Sequence, residues 1–190
     1  MIQRRSRKTG FTMLEVVLVL GIAGLIFLMT FVALPALQRQ ARNTQRESDI
    51  SDLIDMIKKF QTNNRGALPG GGSDDETVGV NSSSDSSISW AGFYKDYLGS
   101  NFVDPLGANY QLHIVNCGGM VVGSACDGKV TSLISEINSK SFEENDHTIQ
   151  IVKQAKCARD EQTGVVANSS GRKVAVLYRL EGGGLYCENT

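Results

Sequence analysis

The chain has 190 residues, 41% of them hydrophobic, and a formal net charge of −1 at neutral pH. That length fits one domain with an appendage rather than several domains. The apolar residues are bunched towards the N-terminus, which excludes a chain of soluble character from end to end.

Residues 1–10 form a polar leader that carries Arg4, Arg5, Arg7 and Lys8 and no acid. Across 11–34 only Thr12, Glu15, Gly21, Gly24 and Thr30 interrupt an apolar run. As a helix this run is roughly 36 Å long, enough to cross a bilayer. Residues 11–35 are therefore the expected membrane-spanning helix, single and N-terminal. The basic leader stays in the cytoplasm, so the chain beyond the helix faces out. Without the four leader cations, 15 basic residues stand against 20 acidic ones, a formal −5 for the rest. Glu15 lies just inside the start of the apolar run. A charge at the centre of a membrane helix costs about 2.5–3.5 kcal/mol; nearer the edge it costs less, but it still needs a partner. An ordinary secretory signal loses its apolar core on cleavage. Here the small residue, Gly10, precedes the core, so a cut after it would keep the helix in the mature protein.

Pro35 lacks a backbone donor and is expected to kink or interrupt the helix. The next stretch, 36–63, turns amphipathic: Ile50, Leu53, Ile54, Ile57 and Phe60 recur at steps of three and four. This half is expected to pack on its own domain and to end near Asn63, Asn64 and Gly66. The head, 64–190, opens with 66–87, whose Gly, Ser and Asp content reads as an exposed loop. Asp74, Asp75, Glu76 and Asp85 could offer oxygens to calcium there. They lack EF-hand spacing, so a solvated loop is the better reading and no cofactor is assigned. Asn81 and Asn168 begin N-x-S sequons.

Residues 87–98 regain aromatics and should pack back on the domain. Strand signals come next at 110–115, 148–155 and 173–180, with a short helix at 130–137. Gly182, Gly183 and Gly184 would turn the last of these into a short final strand, 185–187. The economical architecture is α+β, a long N-terminal helix packed on a small antiparallel sheet of three or four strands. Cys117, Cys126, Cys157 and Cys187 make no CxxC or zinc pattern, and four cysteines in an oxidising compartment read as two disulfides. Three pairings are open. Cys117–Cys126, which closes a Gly-rich loop, and Cys157–Cys187, which ties the C-terminus to a strand, are preferred.

Catalytic signals are missing. His113 and His147 have no partner at zinc-ligand spacing. No GxSxG or SxxK stands out, and the glycines at 70–72 lack the Lys–Ser/Thr of a phosphate loop. The chain is read as a non-enzyme that binds no metal. Lys153, Lys156, Arg159, Arg172, Lys173 and Arg179 would attract DNA phosphates if they shared a face. Alternating solvent-facing charges account for them equally well.

The basic leader, then Gly10, Phe11, Thr12, Leu14 and Glu15, then the retained helix and its amphipathic continuation, resemble the type IV pilin family and its pseudopilin relatives across residues 4–60. The stretch DPLGANYQL at 104–112 is similar to a DP-aromatic-G-x-x-Y segment of several pilins, with Leu106 in place of the aromatic. The resemblance implies the type IV pilin fold. It implies a prepilin peptidase that cuts between Gly10 and Phe11 and N-methylates Phe11. It also implies a cytoplasmic assembly ATPase and a platform protein that move subunits from the membrane into a helical homo-oligomer. Glu15 would then pair with the Phe11 ammonium of a neighbouring copy. Gly21, Gly24 and Pro35 are the helix weak points, although the family's proline falls a few residues earlier. The function implied is a major-type pilin for adhesion, twitching motility or DNA uptake, membrane-held before assembly and extracellular after it. A pseudopilin of a type II secretion or competence system is the near alternative. A monomeric, signal-anchored binding module is the alternative of a different class.

Overall fold

The structure is a computed structural model that describes residues 10–70, 75–83, 86–117, 147–158, 165–167 and 171–190. The chain divides into two units, Met1–Gln40 and Ala41–Thr190. Helix α1, Met13–Asn63, gives its first part to one unit and its second part to the other. It passes through Pro35 without a break, so of the kink or interruption expected there the interruption does not occur. One missing N–H removes one hydrogen bond, and the turns on either side of an apolar helix can absorb that loss.

In the second unit α1 carries the predicted stripe. Ile50, Leu53, Ile54, Ile57 and Phe60 are all buried. They pack on Leu112, Ile114, Ile149, Ile151, Val174 and Val176, alternate residues from one face of a sheet. That sheet comprises β1 (Asp75–Val78), β2 (Gln111–Asn116), β3 (Thr148–Lys153), β6 (Val174–Arg179) and β7 (Leu185–Asn189), in the order β1-β2-β3-β6-β7. On the opposite face Val115, Val152, Ala175 and Leu177 pack with Ala155 and Val165. The last two belong to a two-stranded ladder of β4 (Ala155–Cys157) and β5 (Val165–Ala167). With both faces covered, β6 reads as a continuous apolar run rather than an alternating one.

The sheet is mixed, not wholly antiparallel as expected. β2 and β3 run parallel in the register Leu112↔Ile149 and Ile114↔Ile151, while the other ladders of this sheet are antiparallel. A parallel pair needs a crossover of about a dozen residues or more. The stretch 117–147 between these strands is long enough to supply it. The second correction is β1, which lies inside the segment read as a loop. It pairs with β2 from Asp75↔Val115 to Val78↔Leu112 and buries Val78. Its DETV sequence carries almost no strand signal of its own, so β2 supplies the order. The expected helix at 130–137, the expected partner of Cys117, Cys126, and Asn168 lie outside the described residues. The other expected disulfide, Cys157–Cys187, is formed and joins β4 to β7.

The helix ends as predicted, by different means. Gly66 N–H donates to Gln61 O at 2.6 Å, the six-to-one bond of a Schellman cap. The left-handed residue that such a cap needs is Arg65, at φ 56°. Beyond it, α2 (Trp90–Phe93) and a π-helical turn (Tyr94–Leu98) pack back on the core. Phe93 meets Phe60 edge to face at 5.7 Å.

Candidate functional site

Two places concentrate chemistry, one in each unit. In the first unit, residues 10–12 are not helical and α1 starts at Met13. Thr12 is the cap: its Oγ1 accepts from Glu15 N–H at 3.3 Å, and its carbonyl accepts from the N–H of Glu15 at 3.1 Å and of Val16 at 3.4 Å. Thr12-Met13-Leu14-Glu15 is also the T-x-x-E order of a capping box, a local signal that the resemblance had masked. The cap keeps the Gly10–Phe11 peptide outside the helix, with Glu15 exposed on its first turn. Phe11 is 85% exposed, and none of the apolar stretch after it is buried within the chain. By length and composition that stretch is able to cross a membrane. Gly21 and Gly24 lie in it with no atom within 4 Å of where a Cβ would be.

In the second unit, two arginines one helical turn apart grip two loops of the head. Arg42 donates to both oxygens of Glu181, from Nε at 2.8 Å and Nη2 at 2.6 Å. Arg46 donates from Nη1 to the same carboxylate at 2.6 Å, and through Nε (2.6 Å) and Nη2 (3.0 Å) to both oxygens of Asp104. Asn43 adds a two-way bond to the Glu181 backbone, donating to its carbonyl and accepting from its N–H, each at 3.0 Å. The Arg46 and Asp104 side chains are fully buried. Glu181 sits between β6 and a turn in which Gly182, Gly183 and Gly184 all adopt φ between 86° and 99°. Only glycine holds three such residues in succession without strain. Asp104 heads the turn Asp104-Pro105-Leu106-Gly107, closed by Gly107 N–H to Asp104 O at 2.7 Å. Its Oδ1 accepts from Leu106 N–H at 2.9 Å, and its Oδ2 accepts from Tyr178 OH at 3.3 Å.

The electrostatics arise from this geometry. Hydrogen bonding from Arg42, helped by Arg46 and opposed by burial, pulls the Glu181 carboxyl down to about 2. Burial pushes Asp104 up, but the Arg46 guanidinium and the Leu106 N–H outweigh it and leave the carboxyl below its usual value. Burial disfavours the Arg46 cation, and its bonds to Asp104 and Glu181 more than restore it. Next to this pair, Tyr110 OH donates to Asp49 at 3.0 Å, and burial raises Asp49 in spite of that bond.

Of this cluster, sequence reasoning singled out only Asp104, through the DPLG stretch. Arg46 lies four residues before Ile50, on the apolar stripe itself, and a cation there was the available signal. His113 pairs with Gln150 at 2.6 Å on the sheet, and His147 Nδ1 lies 3.6 Å from Asp104. Among the described residues no group of three or more His, Cys, Asp or Glu gathers at metal-binding distance. Glu76 lies on β1, while Asp74 and Asp85 are outside the described residues. The basic residues are distributed: Lys153 on β3, Lys156 on β4, Arg172 and Lys173 just before β6, and Arg179 at its end. Arg159 is outside the described residues. Comparison with known protein families, with curated proteins and with solved structures gave no match.

Proposed function

We propose that the chain is a filament subunit of the type IV pilin kind, cut between Gly10 and Phe11 and assembled through the first part of α1. The observation that carries this reading is the junction: a carboxylate, Glu15, four residues beyond Phe11 in the first turn of an apolar helix that no described residue covers. Cleavage by a prepilin peptidase creates an ammonium at Phe11. In a bundle of such helices, with water excluded, an unpaired Glu15 is costly and one facing a neighbour's ammonium is compensated. The pair then acts as a register check, because subunits at the wrong axial offset leave both charges alone. Apolar contacts supply the cohesion between helices. In lipid they gain little over contact with acyl chains, so an assembly ATPase and platform protein must provide the work.

On this reading the protein is a membrane-held precursor with its head outside, then a surface fibre, and not an enzyme. Its uses are adhesion, motility or nucleic-acid uptake. Electron microscopy of material sheared from cells tests it, comparing wild type with Glu15→Val. Long fibres are expected from wild type and none from the variant, while removal of 1–10 continues in both. Fibres at wild-type levels from Glu15→Val contradict the register argument. Short periplasmic rods in place of surface fibres identify a pseudopilin, and a monomer that retains Met1 identifies an anchored binding module.

A further inference from the structure

The face of the sheet that α1 covers is apolar along most of its length. Strand alternation puts Val78, Leu112, Ile114, Ile151 and Val174 on it, all buried in one cluster. At one end of that face the same alternation brings three polar residues from three adjacent strands: Glu76 of β1, Asn116 of β2 and Lys153 of β3. Each is half-buried. Asn116 stands directly opposite Lys153 in the parallel register. Glu76 stands opposite Ile114, one diagonal step from Asn116. On its other side Lys153 stands opposite the buried Val174. Neighbouring strands are about 4.8 Å apart, so a lysine side chain is long enough to reach the carboxamide beside it. Burial pushes the Glu76 carboxyl up and the Lys153 ammonium pulls the other way, so the two charges feel each other across β2. Register is what brings the three together, since Asn116 and Lys153 each have a further interaction of their own.

We propose that Lys153 and Asn116 join in an intramolecular isopeptide bond, with Glu76 as the proton carrier. An ammonium and a carboxylate held on an apolar face lose hydration, and passing a proton between them relieves that cost. Lys153 Nζ gives one to Glu76 and becomes a neutral amine, the nucleophilic form of lysine. The amine attacks Asn116 Cγ and a C–N bond forms. Glu76 donates its proton to the departing Nδ2 as the Cγ–Nδ2 bond breaks, and takes one back from the new amide nitrogen. The nitrogen leaves as ammonia and accepts that last proton. The net change turns a lysine ammonium and an asparagine carboxamide into a secondary amide and an ammonium ion, with no oxidant or reductant. Fixed strands supply the proximity that such a reaction needs. The bond ties β2 to β3 at the two ends of the long segment between them. It constrains the unfolded chain as a disulfide does, through a link that thiols do not reduce.

The test is intact-mass spectrometry of the full-length protein in detergent, after its disulfides are reduced. The bond forms within one head and needs no filament, so its absence leaves the assembly reading standing. Wild type should weigh one ammonia less than its sequence. Digestion should yield a branched peptide that joins β2 to β3. Lys153→Arg and Asn116→Ala should each restore the sequence mass. Glu76→Gln should accumulate the lighter form at least about a hundredfold more slowly. Buried Trp90 reports that each variant is folded. Wild type at its full sequence mass overturns the proposal and leaves an ordinary ion pair, whatever the variants do. Loss of ammonia that persists in Lys153→Arg also overturns it, because Asn116 is then cyclising on its own backbone. Bond formation at the wild-type rate in Glu76→Gln removes Glu76 from the chemistry and overturns its assigned role.

Discussion

Before Gln40, α1 bears large apolar side chains on every face, and they stay exposed: Leu14 at 79%, Leu25 at 60%, Phe31 at 73%. After Ala41 the same helix confines its apolar residues to one stripe, and Leu53, Ile54 and Ile57 are fully buried. A stripe fits one neighbour, the sheet of the same chain. An apolar surface on all sides fits an apolar medium, either lipid or a bundle of like helices. The polar groups repeat the contrast. Arg46 finds its carboxylates within the head, through two loops distant in sequence. Glu15 has no cation among the described residues of its own chain; its neighbour is the Thr12 cap. One half of the helix therefore completes a fold, and the other half leaves its apolar surface uncovered among the described residues.

The largest expected effect is at the clamp. Arg46→Ala leaves a fully buried Asp104 unpaired and should cost the head about 3–5 kcal/mol. Denaturant unfolding followed through Trp90, the single tryptophan, measures this. Arg46→Met combined with Asp104→Leu should recover most of the loss, because no buried charge is then left alone. If Arg46→Ala is silent, the second half is not held as described.

The two halves are then separated by a matched pair of truncations. Ile54→Ala should destabilise the head by about 2–5 kcal/mol, as a core cavity does. Leu25→Ala should change the same transition by less than about 0.5 kcal/mol. Equal effects would erase the distinction between the halves.

Acid gives a graded version of the same test. A carboxylate with a depressed pKa contributes stability that is present above its unfolded value and lost as pH falls through its folded one. Glu181 moves from 4.5 to about 2, and Asp104 shifts in the same direction. Their contribution should hold from neutral pH to about 4.5 and fade as the pH approaches about 2. Asp49, raised by burial, works in the opposite sense and reduces the net effect. With Glu181→Gln the decline below about 4.5 should be shallower.

The smallest effect is at the end of the helix. Arg65→Gly relieves a left-handed non-glycine residue and should stabilise the head by about 0.5–1 kcal/mol.

How much of this was legible depends on where each signal lives. The stripe from Ile50 to Phe60 was legible because it repeats at the helical period, and β6 with its glycine turn because both signals are local. Arg46 was hidden because a cation on an apolar stripe looks like a break in the pattern until Asp104 and Glu181 are brought to it, from 58 and 135 residues away. The parallel pairing of β2 with β3 depends on the path of the long segment between them, and no pattern within either strand records that. β1 was hidden because its order comes from β2. The Thr12 cap is written in four consecutive residues, but the same Glu15 also suits a partner on another copy, and that role hides the local one.

The central claim is that the first half of α1 is completed by other copies after a cut that creates its missing cation. Mass spectrometry of the N-terminal peptide of the protein recovered from its native cells tests this most directly. A peptide beginning at Phe11 and carrying one added methyl group on its amine is the predicted result. A peptide that retains Gly10 or Met1 would contradict it, because no ammonium would then stand at Phe11 for Glu15 to meet.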